Sequence, residues 1–172
     1  MDLYRGQRLF VEKKMVRLPD GRELERVLVH PGDAVAILPV RADASCYLLR
    51  QYRFAIDEFI LEAPAGTLNA GERPDETARR ELIEETGFQA ETLIPRGFIY
   101  TTPGFTDERI FLFEAQGLSP SCAYEKDEDE DIEVIRVPLA HLPSMICEGE
   151  ISDAKTIALV YRCLGPVRES RR

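Results

Sequence analysis

The sequence predicts an α/β protein, an α/β/α sandwich around a mixed β-sheet, with an N-terminal antiparallel β-hairpin extension. Three observations carry this prediction. The first third is rich in apolar, strand-forming segments, one helix near the middle has clear end signals, and strands and helices then follow each other without regular βαβ alternation. A chain of 172 residues is long enough for one compact domain with a full core.

The N-terminal third is predicted to form strands. Residues 7–18 and 23–30 are strand-like and flank the turn signal Pro-Asp-Gly, which predicts an antiparallel hairpin. Two further apolar segments, 33–40 and 46–53, have the composition of central strands. We therefore expect a hairpin region over residues 1–32 and a main domain over residues 33–172.

A helix is predicted to begin between Arg73 and Asp75 and to end just before Gly87. Pro74 suits the first helical position, and acidic residues after it suit the positive helix N-terminus. Glycine adopts the left-handed conformation that often follows a helix at low cost. With about 100° between successive residues, one face carries acid and the other is apolar. The acidic face comprises Glu81, Glu84 and Glu85, and the apolar face comprises Ala78, Leu82 and Ile83.

The C-terminal half continues the mixed pattern. Residues 95–118 are predicted to form a strand, a Pro-Gly loop and a second strand. An acidic run at 125–131 leads into a further strand. Residues 139–165 contain two helical segments, the second beginning at about Ser152 or Asp153, either of which can cap it, and ending at Leu164.

Composition and charge exclude several classes of function. The net charge of −9 argues against a nucleic-acid partner, because binding a duplex needs a positive face. No apolar run approaches the roughly 20 residues that span a bilayer, and the N-terminal segment lacks the features of a secretory signal. The cysteines form no CxxC pair and are interpreted as buried thiols in a reducing compartment, so we expect a cytoplasmic protein. They are Cys46, Cys122, Cys147 and Cys163.

The acidic cluster on the predicted helix has two interpretations. It can be a solvated face on which Arg80 pairs with Glu84, a common arrangement that stabilises a protein by roughly 0 to 1 kcal/mol. Alternatively, the carboxylates lie in a partly buried cleft. Two like charges about 4 Å apart there repel by about 4 kcal/mol at an effective dielectric near 20, and a divalent cation reverses the sign. Carboxylate oxygens are preferred ligands of magnesium.

The residues around this cluster favour the second interpretation. They follow the order Gly, five residues, Glu, seven residues, and then Arg-Glu-U-x-Glu-Glu-x-Gly-U, where U is an aliphatic or aromatic residue. This spacing resembles the signature of the Nudix hydrolase family at all nine defined positions. Those positions are Gly66, Glu72, Arg80, Glu81, Leu82, Glu84, Glu85, Gly87 and Phe88.

The resemblance implies hydrolysis of a nucleoside diphosphate linked to another group, with Mg²⁺ as cofactor and Mn²⁺ able to substitute. It implies that Glu81 and Glu85 are the principal metal ligands and catalytic residues, with Glu84 and the Ala65 carbonyl as further ligands. Arg80 would orient the carboxylates as part of the catalytic set. Such supporting groups fix the geometry of metal ligands.

The same resemblance implies that Glu72 braces the loop and that Gly66 permits close approach of the backbone. A divalent ion would neutralise the diphosphate and lower the pKa of the attacking water.

The segment "YTTPGFTDE" gives information about the class of substrate. Pro103 lies sixteen residues after Gly87, which resembles the proline that marks the ADP-ribose pyrophosphatase branch of the family. By that resemblance Glu108 contacts the substrate. The same segment also suits an ordinary Pro-Gly turn between strands.

Two arginines are further candidates for substrate binding. Arg53 resembles a family arginine that reaches the substrate phosphates, and a forked guanidinium suits diphosphate oxygens. Arg26 lies where family members place another substrate arginine, in some cases across a dimer. For each, an exposed ion pair is the alternative.

The acidic run also has two interpretations. Blocks of like charge usually form solvated loops. Yet an acidic loop precedes the corresponding strand in ADP-ribose pyrophosphatases, which makes Glu128 the candidate general base and Glu130 an additional metal ligand. Because the run contains several adjacent acids, the general base and the ligand can each lie up to two residues from these positions.

The expected function is Mg²⁺-dependent hydrolysis of ADP-ribose to AMP and ribose 5-phosphate by a homodimer. One alternative keeps the chemistry and takes another nucleoside diphosphate sugar, such as ADP-glucose or GDP-mannose. Another is a non-catalytic sensor with the same fold that binds a nucleotide.

Overall fold

A computed structural model describes residues 1–6, 8–122 and 132–165. The described helices are α1 (Pro74–Thr86), α2 (Leu142–Glu148) and α3 (Ala154–Leu164). The described strands are β1 (Asp2–Arg5), β2 (Phe10–Arg17), β3 (Glu23–His30), β4 (Ala34–Pro39), β5 (Ser45–Arg53), β6 (Glu58–Glu62), β7 (Ala65–Thr67), β8 (Phe88–Tyr100), β9 (Arg109–Pro120) and β10 (Ile132–Pro138).

The central sheet is mixed, as the sequence predicts. Its strand order is β7-β4-β9-β8. Strand β4 runs parallel to β9, whereas β7 and β8 are antiparallel to their neighbours. A second sheet has the order β10-β5-β6.

Strand β4 separates two hydrophobic clusters because successive side chains point to opposite faces of a sheet. Ala36 and Leu38 belong to the cluster that includes Leu159 of α3. Val35 and Ile37 belong to the other cluster, with Ala78 and Leu82 of α1. Helix α1 thus covers one face of the central sheet and α3 the other, which confirms the predicted sandwich.

The ends of α1 follow the local signals in the sequence. Arg73 is the N-cap residue, and its backbone N–H donates to the Glu76 carboxylate at 3.0 Å. At the other end Gly87 has φ 75° and its N–H donates to the Ile83 carbonyl at 2.9 Å. Ala78 and Leu82 are fully buried, whereas Ile83 is only half-buried.

The predicted hairpin is present as β2 and β3, paired from Phe10–His30 to Arg17–Glu23. Strand β1, which the sequence analysis did not anticipate, pairs with β2 and extends the hairpin to three strands. The N-terminal sheet docks on the loop before β9. The Val29 N–H donates to the Phe105 carbonyl at 2.8 Å, and His30 Nδ1 lies 2.7 Å from a carboxylate oxygen of Asp107.

Two other predictions have different outcomes. Asp153 caps α3 and accepts from the Thr156 N–H at 2.9 Å, which confirms the predicted start of that helix. All four cysteines are free, but Cys122 and Cys147 are exposed. The prediction that the thiols are buried is wrong for these two. Cys147 belongs to neither core cluster, although Leu142 and Ile146 of the same helix pack in one of them, and Cys122 lies beyond the end of β9. Among the described helices, none has the length and apolar character to cross a membrane.

Candidate active site

A cleft of about 950 Å³ opens beside the acidic face of α1. Its walls come from the start of β4, the strands β5 and β7, helix α1, the first turn of α3 and the loop before β9. Its lining is mostly polar. Among the residues with predicted roles, it includes Arg53, Ala65, Gly66, Arg80, Glu81, Glu84, Glu85 and Glu108.

Arg80 is the centre of the hydrogen bonds on the α1 wall. Its Nε and Nη2 donate to the two carboxylate oxygens of Glu72 at 3.0 and 3.1 Å. Its Nη1 donates to Glu81 at 2.7 Å and to Glu84 at 2.8 Å. Nη2 also donates to the Thr67 carbonyl at 3.2 Å. One guanidinium therefore joins three carboxylates to β7. Its positive charge offsets part of the repulsion between the carboxylates of this helix.

The Arg80–Glu72 pair has a clear electrostatic consequence. The hydrogen bonds from Arg80, together with one from the Asn69 N–H, lower the pKa of Glu72 to about 2. The same contact with Glu72 is the main cause that raises the pKa of Arg80. Both groups therefore stay charged throughout the neutral range, and the loop before α1 stays tied to the helix.

Gly66 lies directly against the carboxylate of Glu81. A Cβ atom built on Gly66 would lie 1.9 Å from both Cδ and Oε1 of Glu81, far inside van der Waals contact. Beside it, the Ala65 N–H donates to the Glu85 carboxylate at 2.8 Å. Any larger residue at position 66 would therefore have to displace the carboxylate of Glu81.

The α1 wall offers hard oxygen donors to a cation. Arg80 contacts three carboxylates, Glu72, Glu81 and Glu84, which leaves a formal excess of two negative charges around it. Glu85 accepts from the Ala65 N–H and interacts electrostatically with Arg53. These oxygens are of the type that Mg²⁺ and Mn²⁺ prefer. Within residues 1–6, 8–122 and 132–165, no three acidic, histidine or cysteine side chains already form a metal-binding cluster. Arg80 accounts for this, since it holds Glu81 and Glu84 through its own N–H groups.

A second part of the lining carries two cations, Arg53 and Lys155, which are paired with carboxylates. Arg53, at the end of β5, donates to both oxygens of Glu62 at 2.7 and 2.8 Å. The Lys155 ammonium, from the first turn of α3, contacts the same carboxylate. Arg53 therefore lies at the cleft, as a substrate arginine would. Its ion pair is with the buried carboxylate of Glu62, and so is not the exposed pair of the alternative interpretation.

The loop before β9 brings Glu108 to the cleft. Its carboxylate accepts a hydrogen bond from the Thr101 hydroxyl at 2.6 Å. Arg26 is different: it lies on β3, its Nη1 donates to the Glu25 carbonyl at 2.9 Å, and it does not line the cleft of its own chain. Glu128 and Glu130 lie outside the residues that the structure describes.

Sequence reasoning missed several residues of the cleft. Lys155 and Asp153 were interpreted only as parts of a helix start, and Arg8, Gln51 and Thr101 were not singled out. Gln51 carried a usable signal, because it lies two residues before Arg53 and so on the same face of an extended strand. Thr101 lies in the segment that carries Pro103 and Glu108, whereas Arg8, Asp153 and Lys155 lie far along the chain from the signature.

A mixed sheet between two helices, with a carboxylate-rich helix that shares a cleft with an arginine and a lysine, defines an α/β protein with a polar, charged cleft. The model of the NUDIX domain matches residues 30–160 of this chain. The chain belongs to the NUDIX family.

Similar proteins agree with this assignment. An ADP-ribose pyrophosphatase of Bacillus subtilis (strain 168) is 43% identical over 150 residues, covering 86% of this chain and 80% of that protein. A methanol dehydrogenase activator of Bacillus methanolicus is 38% identical over 160 residues, covering 92% and 86%. A GDP-mannose pyrophosphatase of Cronobacter sakazakii (strain ATCC BAA-894) is 37% identical over 147 residues, covering 81% and 76%.

A solved structure has a similar fold. The crystal structure of an ADP compounds hydrolase superposes with a TM-score of 0.83 at 25% sequence identity. The match covers 95% of this chain and 89% of that one.

Proposed function

We propose that this protein hydrolyses the diphosphate bond of ADP-ribose and releases AMP and ribose 5-phosphate. The observation that carries the proposal is the cleft itself, which the signature carboxylates of α1 share with Arg53 and Lys155. An excess of negative charge around Arg80 suits a cation, and the guanidinium of Arg53 and the ammonium of Lys155 suit phosphate oxygens. The 43% identity to an ADP-ribose pyrophosphatase supports the choice of substrate.

The proposed cofactor is Mg²⁺, for which Mn²⁺ can substitute, since hydrolases of this family generally use a divalent metal ion. We assign its ligands to Glu81, Glu84, Glu85 and the Ala65 carbonyl, with Glu130 as an additional ligand. When bound, such an ion neutralises diphosphate charge and makes water a better nucleophile.

The protein's own groups then have distinct tasks. Arg80 holds Glu81 and Glu84 in the cleft and is itself fixed by Glu72. Arg53 binds the diphosphate through its guanidinium, and Glu108 contacts the substrate from the loop before β9. Glu128 is the proposed general base, which removes a proton from the attacking water.

We extend the proposal to assembly. Residues 1–32 are the proposed dimerisation region and 33–172 the hydrolase domain. The N-terminal sheet carries exposed apolar side chains that suit burial against a second copy, among them Met15 and Val27. We propose that Arg26, whose side chain lies on the other face of this sheet, serves the partner's cleft in such a homodimer. The free cysteines suit a reducing, cytoplasmic setting.

Product analysis in ¹⁸O-labelled water tests the reaction. Purified protein is incubated with Mg²⁺ and ADP-ribose, ADP-glucose or GDP-mannose, and the products are separated and weighed by mass spectrometry. We expect AMP and ribose 5-phosphate from ADP-ribose, with the label in one of them marking the attacked phosphorus.

Two results would contradict the proposal. A tenfold or greater preference for GDP-mannose would move the assignment to the other nucleoside diphosphate sugars, which the similarity to a GDP-mannose pyrophosphatase keeps as the second candidate. Binding of ADP-ribose without cleavage, with either metal, would identify a sensor.

A further inference from the structure

Glu62 is a buried carboxylate that the proposed function has not used. It ends β6 and is only 1% exposed. A buried charge is costly unless it is paired and hydrogen-bonded. Here Arg53 donates to it through Nε and Nη2, and Lys155 contacts its second oxygen. A single buried anion therefore holds two cations.

Both cations are anchored on regular elements of the fold. Arg53 ends β5, which pairs with β6. Lys155 is fixed by a second carboxylate, since its Nζ lies 3.1 Å from Asp153. Asp153 in turn accepts from the Thr156 hydroxyl at 2.6 Å, and that oxygen accepts from the Ala63 N–H at 2.7 Å. The network thus joins the start of α3 to the residue directly after Glu62.

Glu62 does not use every donor of the two cations. Arg53 and Lys155 both line the cleft, as do the signature carboxylates of α1. The two bonds from Arg53 to Glu62 use Nε and Nη2, so Nη1 and the remaining edge of the guanidinium are not used by Glu62. An arginine already fixed on one edge loses less side-chain entropy when the other edge binds phosphate.

We propose that Glu62 is a positioning residue that holds Arg53 and Lys155 as a pair, and that Lys155 contacts the diphosphate of the substrate together with Arg53. This inference rests on the proposed function, because it names the groups that bind the diphosphate. It adds one contact from α3 and a reason for a charged side chain at a buried position.

Steady-state kinetics with ADP-ribose test the inference in the full-length protein. Lys155→Met keeps the length of the side chain and removes its charge, and Glu62→Gln keeps the shape of the carboxylate. We expect KM to rise by about tenfold or more in each variant while kcat changes by less than about threefold, because a contact made equally in the ground and transition states affects binding alone. Lys155→Arg should recover most of the loss.

A matched control separates positioning from stability. Glu114 is also buried, at 6% exposure, and accepts from Arg96 Nε at 3.1 Å, but neither residue lines the cleft. Glu114→Gln should lower Tm as Glu62→Gln does and leave KM unchanged. Competitive inhibition by inorganic pyrophosphate gives a second readout, and its Ki should rise in parallel with KM only in the Glu62 and Lys155 variants.

The outcomes are distinct. An active wild type with unchanged KM and pyrophosphate Ki in Lys155→Met would overturn this inference and leave the proposed function intact. A lowered Tm with unchanged KM in Glu62→Gln would make Glu62 merely structural. If Glu62→Gln fails to fold, Lys155→Met decides alone, because methionine keeps the length of the side chain and Glu62 retains both hydrogen bonds from Arg53. A wild type that neither binds nor cleaves any of the three nucleotide sugars would overturn both proposals.

Discussion

Gly66 shows how one residue controls the geometry of the cleft. Its Cα lies so close to Glu81 that any Cβ would overlap the carboxylate. We expect Gly66→Ala to displace Glu81 and to reduce kcat by about 100-fold, since misplacement by about 1 Å can cost this much. Unfolding curves and turnover with ADP-ribose measure the effect.

A second variant provides the control for this prediction. Glu81→Ala removes the atoms that clash, so the double variant Gly66→Ala/Glu81→Ala should recover the Tm lost in Gly66→Ala and remain inactive. A double variant as unstable as the single one would show that the overlap is not the cause.

Glu85 tests the role of charge on the same wall. Glu85→Gln retains an oxygen for the Ala65 N–H and removes the charge that a cation needs. We expect turnover to fall by at least roughly 100-fold with little change in substrate binding. Asp75→Asn, which removes an exposed acid of the same helix, should retain full activity. Normal turnover in Glu85→Gln would refute the ligand assignment.

Glu72 gives a prediction about pH. Its pKa is lowered from 4.5 to about 2, chiefly by hydrogen bonds from Arg80. A lowered pKa stabilises the folded state fully above the unfolded value of 4.5, and the effect is lost as the pH falls toward about 2. The difference in unfolding free energy between wild type and Glu72→Gln should therefore be constant near neutral pH and shrink below 4.5. Urea titrations of both proteins at several pH values measure this difference. A difference in unfolding free energy that does not change with pH would contradict the prediction.

At the scale of the element, α1 has two faces with separate tasks. Leu82 is fully buried against the central sheet, whereas the neighbouring Ile83 belongs to neither core cluster. Leu82→Ala should lower the free energy of unfolding by about 2–5 kcal/mol because it leaves a cavity. Ile83→Ala should cost clearly less. Equal losses in denaturant titrations would mean that the helix is rotated from the orientation described.

At the scale of the whole molecule, the N-terminal sheet is the surface available for assembly. Val27 is opposite Lys13 in the register, which places it on the same face as Met15, and both are about half exposed. If this face is the dimer interface, light scattering should give the wild type twice the mass of one chain, which is 19.5 kDa. Val27→Glu should have the mass of a single chain. Tyr161→Glu, at an exposed position of α3, should not. A wild-type monomer would refute the homodimer proposal.

Several features of the fold and the candidate site could be predicted from local sequence. The start of α1 at Pro74, its end before Gly87 and the grouping of Glu81, Glu84 and Glu85 on one face depend only on capping and on helical spacing. The alternation of β4 between two apolar faces likewise follows from strand geometry. These features rest on neighbours along the chain, and the sequence alone determined them.

Other features depended on which distant segments pack together. Lys155 and Glu62 are 93 residues apart, and they meet only because the first turn of α3 packs beside the end of β6. Tertiary packing also determines that Arg80 binds Glu72 as well as Glu84. It likewise leaves Cys122 and Cys147 exposed. Only the tertiary structure could decide them, because a side-chain contact across the fold leaves no local periodicity in the chain.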